Sequence, residues 1–349
     1  MAKQSATEQP ARTERAAART HDPVTGLPVP TLADVFRAKR VVDRYLKPTP
    51  LLRPEALAAR LGCDIHLKME NLQPIGAFKV RGGIYLLSEM DPAERARGVV
   101  TASTGNHGQS IAYAAREFGC AARIFMPARA NPLKVAAMER LGATVVFAGT
   151  EFDEACRAAE EDAAATGSTY VHPANEPRLI AGVATSSLEI LQAVPDLDVL
   201  VVAVGGGSGL SGACVVGKAI NPRLRVVGVQ AVGAPAVHDS WRAGELRSTA
   251  TADTDAEGIA TRTASSLPLG ILWDWLDDCR LVTDGDLRRA TLTLLETTRT
   301  LAEGAGAAAL AGVWQMREEL AGLRVAAVVS GGNLTLDGLA KALREERPW

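Results

Sequence analysis

The chain has 349 residues, 47% of them hydrophobic, enough for about two domains at roughly 150 residues each. Its 38 Lys and Arg against 40 Asp and Glu leave a net charge of −2, without the basic surplus of a nucleic-acid-binding protein. The longest apolar stretch, Val199 to Val204, is far short of the roughly 20 residues that cross a membrane.

Residues 1–30 read as a disordered tail. The segment is rich in Ala and Arg, and it has no apolar core of the kind a secretory signal needs. Glu8 and Glu14 set it apart from an acid-poor transit peptide, and Pro23, Gly26, Pro28 and Pro30 break it into loop. Five dispersed cysteines (Cys63, Cys120, Cys156, Cys214, Cys279) have neither disulfide-framework nor zinc spacing, so neither is expected and a reducing cytoplasm fits.

Thr31 reads as the N-cap of a helix carrying Val35, Ala38, Val41 and Val42 at helical spacing. Strands are then expected at Ile65–Met69, Val99–Ala102, Arg123–Met126, Thr144–Phe147 and Thr169–Val171. Further strands follow at Val199–Val204, Arg225–Val229, Arg280–Val282 and Val325–Val329. Between them lie helical stretches at Ser110–Phe118, Leu133–Leu141, Phe152–Ala165, Ala181–Gln192 and Leu210–Ala219. Strands apolar throughout and alternating with helices predict an α/β fold with parallel sheet covered on both faces. On such sheets ligands bind beyond the carboxyl ends of the strands, so the loops there hold the chemistry.

Four of those loops stand out. In Asn71–Gly83, Lys79 is flanked by Phe78 and Val80, surroundings that desolvate an amine and favour Schiff-base chemistry. An isolated lysine in such a run also reads as a snorkelling surface residue. Thr101–Gln109 offers Ser103, Thr104, Gly105, Asn106 and His107 at a helix start, a natural cradle for a carboxylate. Ordinary N-capping would use the same residues, and His107 alone reads as a structural histidine.

The third loop, Gly205-Gly206-Gly207-Ser208-Gly209, follows a strand and opens a helix, as a phosphate cup does. Gly207, Gly209 and Gly212 also satisfy the dinucleotide pattern, but the next strand ends in Gln230 where an acidic ribose anchor belongs. The fourth, Ser330-Gly331-Gly332-Asn333, offers a hydroxyl to a ring nitrogen, although a plain glycine turn has the same sequence.

Taken together and in order, these loops resemble the pyridoxal-phosphate enzymes of fold type II, specifically the serine/threonine dehydratase family and its serine-racemase relatives. The resemblance runs from about Thr31 to Gly332. It implies two open twisted-sheet domains with helices on both faces, as in the tryptophan synthase β chain. It implies a large cofactor-binding domain, 31–91 and 179–349, and a small domain, 92–178, carrying the carboxylate loop.

By the same resemblance Lys79 bonds pyridoxal 5'-phosphate as a Schiff base, Phe78 lies beside the ring and Asn106 bonds the ring hydroxyl. Gly205 to Gly209 hold the phosphate, Ser330 partners the pyridine nitrogen, and Glu303 lies near the cofactor. Ser103, Thr104, Gly105, Asn106 and His107 hold the substrate carboxylate. The implied activity is a dehydratase, or ammonia-lyase, that eliminates water from a β-hydroxy-α-amino acid of threonine or serine type and yields a 2-oxo acid and ammonia. Lys79 acts as the base for the Cα proton.

Three departures from the family pattern bear on specificity. Thr104 stands where the racemase branch has a Ser acid, which keeps racemisation as the alternative. Ala174 fills a commonly aromatic slot and opens room for a bulky substituent such as that of phenylserine. Gln230 replaces a Glu that binds a divalent cation in metal-activated members. A dinucleotide-dependent oxidoreductase and a catalytically silent amino-acid binder are the remoter readings. The expected partner is a small amino acid, with no nucleic acid or membrane, and the expected assembly a homodimer or homotetramer.

Overall fold

The computed structural model describes residues 18–349. Ten strands form two sheets: β1 (Leu51–Leu52), β2 (Asp64–Met69), β3 (Val99–Ala102), β4 (Ala122–Met126), β5 (Thr144–Phe147), β6 (Thr169–Tyr170), β7 (Val199–Ala203), β8 (Arg225–Ala231), β9 (Asp278–Val282) and β10 (Arg324–Val329). The larger sheet has the order β1-β2-β10-β7-β8-β9 and the smaller one β5-β4-β3-β6. Every pairing is parallel except that of β1 with β2.

The alternation of a strand shows why both faces are covered. Val199 and Val201 of β7 enter one core with Val325, Ala327 and Val329 of β10, beneath the helices Asp284–Thr298 and Gly304–Gln315. Leu200 and Val202 enter the opposite core with Ala326 and Val328, beneath Pro177–Ala193, Ser208–Ile220 and Ser266–Trp275. Each fully buried Val or Leu contributes about 1.5–3 kcal/mol, so neither face tolerates exposure. The smaller sheet is sandwiched likewise, with Phe152–Thr166 on one side and Asn106–Glu117 on the other.

The helix Val80–Glu89 joins the two sheets' surroundings. Its Gly82 lies so close to Leu179 that a Cβ would come within 3.0 Å of the Leu179 carbonyl oxygen. On Gly83 a Cβ would come within 2.5 Å of Ser110 Oγ. All four strands of the smaller sheet fall inside 92–178, yet this helix, which precedes that segment, packs directly on it.

Thr31 caps the first helix, Leu32–Tyr45, as expected, in a reciprocal box with Asp34. Three other helices begin two or more residues earlier than expected. The helix expected from Ser110 begins at Asn106, the one expected from Ala181 at Pro177 and the one expected from Leu210 at Ser208. The Thr101–Gln109 and Gly205–Gly209 loops therefore run straight into a first helical turn. The tail differs as well. Residues 1–17 lie outside the described residues, but 18–30 form a docked strap. Arg19 pairs with Asp274, Asp22 accepts a hydrogen bond from Ser266 Oγ at 2.8 Å, and Val29 is buried in the core. Buried partners for Asp22 and Val29 give this proline-rich stretch a fixed path.

In the larger sheet β2, β10 and β7 are neighbours, and the loops after their carboxyl ends carry Lys79, Ser330 and Gly205. In the smaller sheet β3 and β6 are neighbours, and they end just before Ser103 and His172. Sheet order groups three of these loops in one sheet and two in the other, and contacts such as Lys79–Pro173 and Asn106–Asn333 join the two sets.

Candidate active site

Lys79 caps the helix Val80–Glu89 and is partly buried. Its loop is stitched to the last strand's loop by a bridge between Ala77 and Gly331 and by Phe78 N–H donating to Ser330 O at 3.0 Å. From the other side, Ser110 Oγ donates to Lys79 O at 2.6 Å. The side chain reaches Ser208, with Nζ 2.8 Å from Oγ, and makes a longer 3.4 Å contact with Pro173 O. Phe78 flanks it, its ring centroid 5.5 Å from Nζ. Desolvation lowers the ammonium from its usual 10.5 to about 8.

The glycine loop opens the helix Ser208–Ile220. Gly207 has φ +99°, and a Cβ there would meet Pro268 Cβ at 2.6 Å, so only glycine fits. Gly209 lies against the Phe78 ring, and Gly205 against the backbone of Gly258 and Ile259. The N–H groups of Gly205, Gly206, Gly207, Ser208 and Gly209 donate to no acceptor among the described residues. Five free donors at a helix N-terminus suit an anion such as a phosphate.

In the Ser103–His107 loop, Ser103 Oγ accepts from Gly105 N–H at 3.1 Å and Gly108 N–H at 2.9 Å. This is capping from outside the helix, whose own N-cap, Gly105, has no side chain. The N–H groups of Thr104, Asn106 and His107 donate to none of the described residues, which leaves them for a carboxylate. Thr104 is partly exposed, and its hydroxyl likewise has no partner there.

His107 is buried, with Nε2 2.9 Å from Thr101 Oγ1, whose own proton goes to Val171 O at 2.7 Å. That order makes His107 the donor through Nε2–H and leaves Nδ1 a bare acceptor with no hydrogen-bond partner. Burial, reinforced by Lys79 and His172, lowers its pKa from 6.5 to about 3, so the imidazole is neutral.

Asn106 ties three loops together. Its Nδ2 donates to Glu303 Oε1 at 2.7 Å, and its Oδ1 accepts from Asn333 Nδ2 at 2.7 Å. Burial raises the Glu303 carboxyl above its usual range against the opposing effect of Asn106. Gly331 lies directly against this carboxylate, where a Cβ would stand 2.2 Å from Oε1. Ser330 donates to Ala305 O at 3.2 Å, a long bond that leaves its hydroxyl easy to redirect.

Ala174 is buried against the glycine loop, with its Cβ 3.2 Å from where a Cβ on Gly206 would lie. Gln230 is fully buried at β8, its Oε1 accepting from His238 N–H at 2.9 Å. Held that way, it provides no ribose anchor for a dinucleotide. Among the described residues no cluster of three His, Cys, Asp or Glu side chains is placed to hold a metal, and no helix is long and apolar enough to cross a membrane.

Sequence reasoning missed several supporting groups. His172 accepts the N–H groups of Ala174 and Asn175 on Nδ1 and so fixes the turn that carries Pro173 O toward Lys79. Asn333, which in the sequence only ends a glycine turn, donates to Asn106. A buried ion network sits behind Lys79: Arg81 is bidentate to Glu70 and also paired with Glu189, which Lys68 meets at 2.6 Å. Burial works against the Arg81 charge, but Glu70 and Glu189 outweigh it and hold its pKa up. A lysine inside the apolar run Ile65–Met69 was the available signal, because a charge there needs a buried partner.

Comparison with known proteins places the chain in a family. The family model described as "Pyridoxal-phosphate dependent enzyme" matches residues 42–331. The chain is 39% identical to the L-threonine ammonia-lyase of Thermotoga maritima, over 90% of this chain and 78% of that protein. It is 33% identical to the L-threo-3-hydroxyaspartate ammonia-lyase of Saccharomyces cerevisiae, over 92% of this chain and 99% of that one. The solved maize serine racemase superposes with a TM-score of 0.85 at 28% identity, covering 91% of this chain and 98% of that one. A free N–H cradle, a desolvated lysine beside it and a second cradle for a carboxylate fit a cofactor that carries a phosphate and an aldehyde. The chain belongs to the pyridoxal-phosphate-dependent enzymes of fold type II.

Proposed function

We propose that the chain is an ammonia-lyase that converts a β-hydroxy-α-amino acid of threonine or serine type to a 2-oxo acid and ammonia. The observation that carries this reading is the Lys79 amine, 2.8 Å from Ser208 at the mouth of the free N–H cradle. When bound, pyridoxal phosphate supplies the aldehyde and the ring that accepts the electron pair left as Cα loses its proton.

The chain's own residues take the other parts. Gly205 to Gly209 would hold the phosphate, Phe78 would pack beside the ring, Ser330 would partner the ring nitrogen and Asn106, braced by Glu303, would bond the ring hydroxyl. Ser103, Thr104, Gly105, Asn106 and His107 orient the substrate carboxylate. Lys79 would take the Cα proton; its low pKa keeps a useful fraction neutral near pH 8. Thr104, whose hydroxyl is unengaged, is the candidate acid on the other face and supports racemisation as the second reading.

Ala174 bears on substrate size, with phenylserine as the bulky candidate. We further propose a small domain over 92–178, a large one over 31–91 and 179–349, and a cytoplasmic homodimer or homotetramer. The test is release of 2-oxo acid and ammonia from serine, threonine, 3-hydroxyaspartate and phenylserine. Ammonia from at least one of them is expected. Inversion of configuration without ammonia would replace the lyase reading with the racemase one.

A further inference from the structure

Ser208 is the one residue of the Gly205–Gly209 loop with a side chain beyond hydrogen, and it is 1% exposed. Its place is fixed on both sides. Gly207 abuts Pro268, whose carbonyl accepts from Ser211 Oγ, and Gly209 abuts the Phe78 ring beside the lysine. The Lys79 amine meets no carboxylate: Glu303 is bonded to Asn106, and Lys79 forms no ion pair among the described residues. Its partners are the Ser208 hydroxyl at 2.8 Å and the Pro173 carbonyl at 3.4 Å.

Those partners differ in kind. A carbonyl only accepts, so it serves the ammonium alone, whereas a hydroxyl accepts from the ammonium and donates to the neutral amine. We propose that Ser208 is the resting partner of the Lys79 amine whenever that amine is not bonded to an aldehyde, holding it beside the phosphate cradle in either protonation state. This rests on the reading of Lys79 as the reacting amine and adds to it. The free backbone N–H groups of the loop suffice for a phosphate, so the hydroxyl is available for the lysine.

The test strips the full-length chain of cofactor and follows Schiff-base absorbance against pH. It uses wild type, Ser208→Ala and Ser208→Thr, with pyridoxal phosphate and, separately, pyridoxal, which lacks the phosphate. Losing this hydrogen bond costs the ammonium more than the neutral amine. The pH midpoint of bond formation should therefore fall by roughly half to one unit in Ser208→Ala with both aldehydes. Ser208→Thr, which keeps the hydroxyl, should restore it. If Ser208→Ala weakens binding of pyridoxal phosphate alone and leaves the midpoint in place, Ser208 serves only the phosphate and the proposal fails. If wild type bonds neither aldehyde, the reading of Lys79 itself fails, and the proposal with it.

Discussion

At the scale of single residues, the environment of Lys79 decides its chemistry. A lysine paired with a carboxylate stays protonated, whereas this one faces a hydroxyl, a carbonyl and the Phe78 ring. Lys79→Ala should therefore abolish the cofactor's Schiff-base absorbance and lower turnover by about 10³-fold or more, the range expected for loss of a general base. Spectra and steady-state rates on one preparation check both. The sequence singles out Lys79 and the glycines by residue type and Asn106 by family resemblance, and the fold brings the loops that carry them together. His172 and Asn333 are not singled out, because their roles depend on which backbone groups the fold brings to them.

Among the elements, the site rests on the short path from β2 to the helix Val80–Glu89. Lys68 and Arg81 meet Glu70 and Glu189 there, buried, and Lys39 lies 3.4 Å from Glu189 at the edge of the network. Glu189→Gln would leave a buried positive charge short of its partner and should cost about 3–5 kcal/mol, seen as a lower midpoint in urea. In the glycine loop, Gly207→Ala adds a Cβ at positive φ against Pro268. It should cost roughly 1–3 kcal/mol and weaken pyridoxal phosphate binding in an absorbance titration. Nine of the ten strands were legible to within two residues at each end because they are mostly apolar runs, whereas the two-residue β1 (Leu51–Leu52) is too short to leave a pattern. The helix starts at Asn106 and Ser208 were not legible, because glycines, Gly105 and Gly207, occupy their N-cap positions.

For the whole molecule, parallel sheets covered on both faces followed from the rhythm of strands and helices, while the docking of residues 18–30 did not. That strap depends on Asp274 and Ser266, some 250 positions away, and no local pattern announces so distant a partner. The buried neutral His107 links the site to overall stability. Its pKa falls from 6.5 to about 3 on folding, so between those values the unfolded chain binds the extra proton. Its contribution is complete above pH 6.5 and is lost as pH falls toward 3. His107→Gln should make the acid limb of a stability–pH curve shallower by up to one proton, measured by denaturant unfolding at several pH values.

Borohydride reduction of the purified protein loaded with pyridoxal phosphate, followed by peptide mass mapping, tests the central claim most directly. The account predicts a reduced pyridoxyl group on the peptide containing Lys79 and on no other. Label on a different lysine, or none at all, would contradict it.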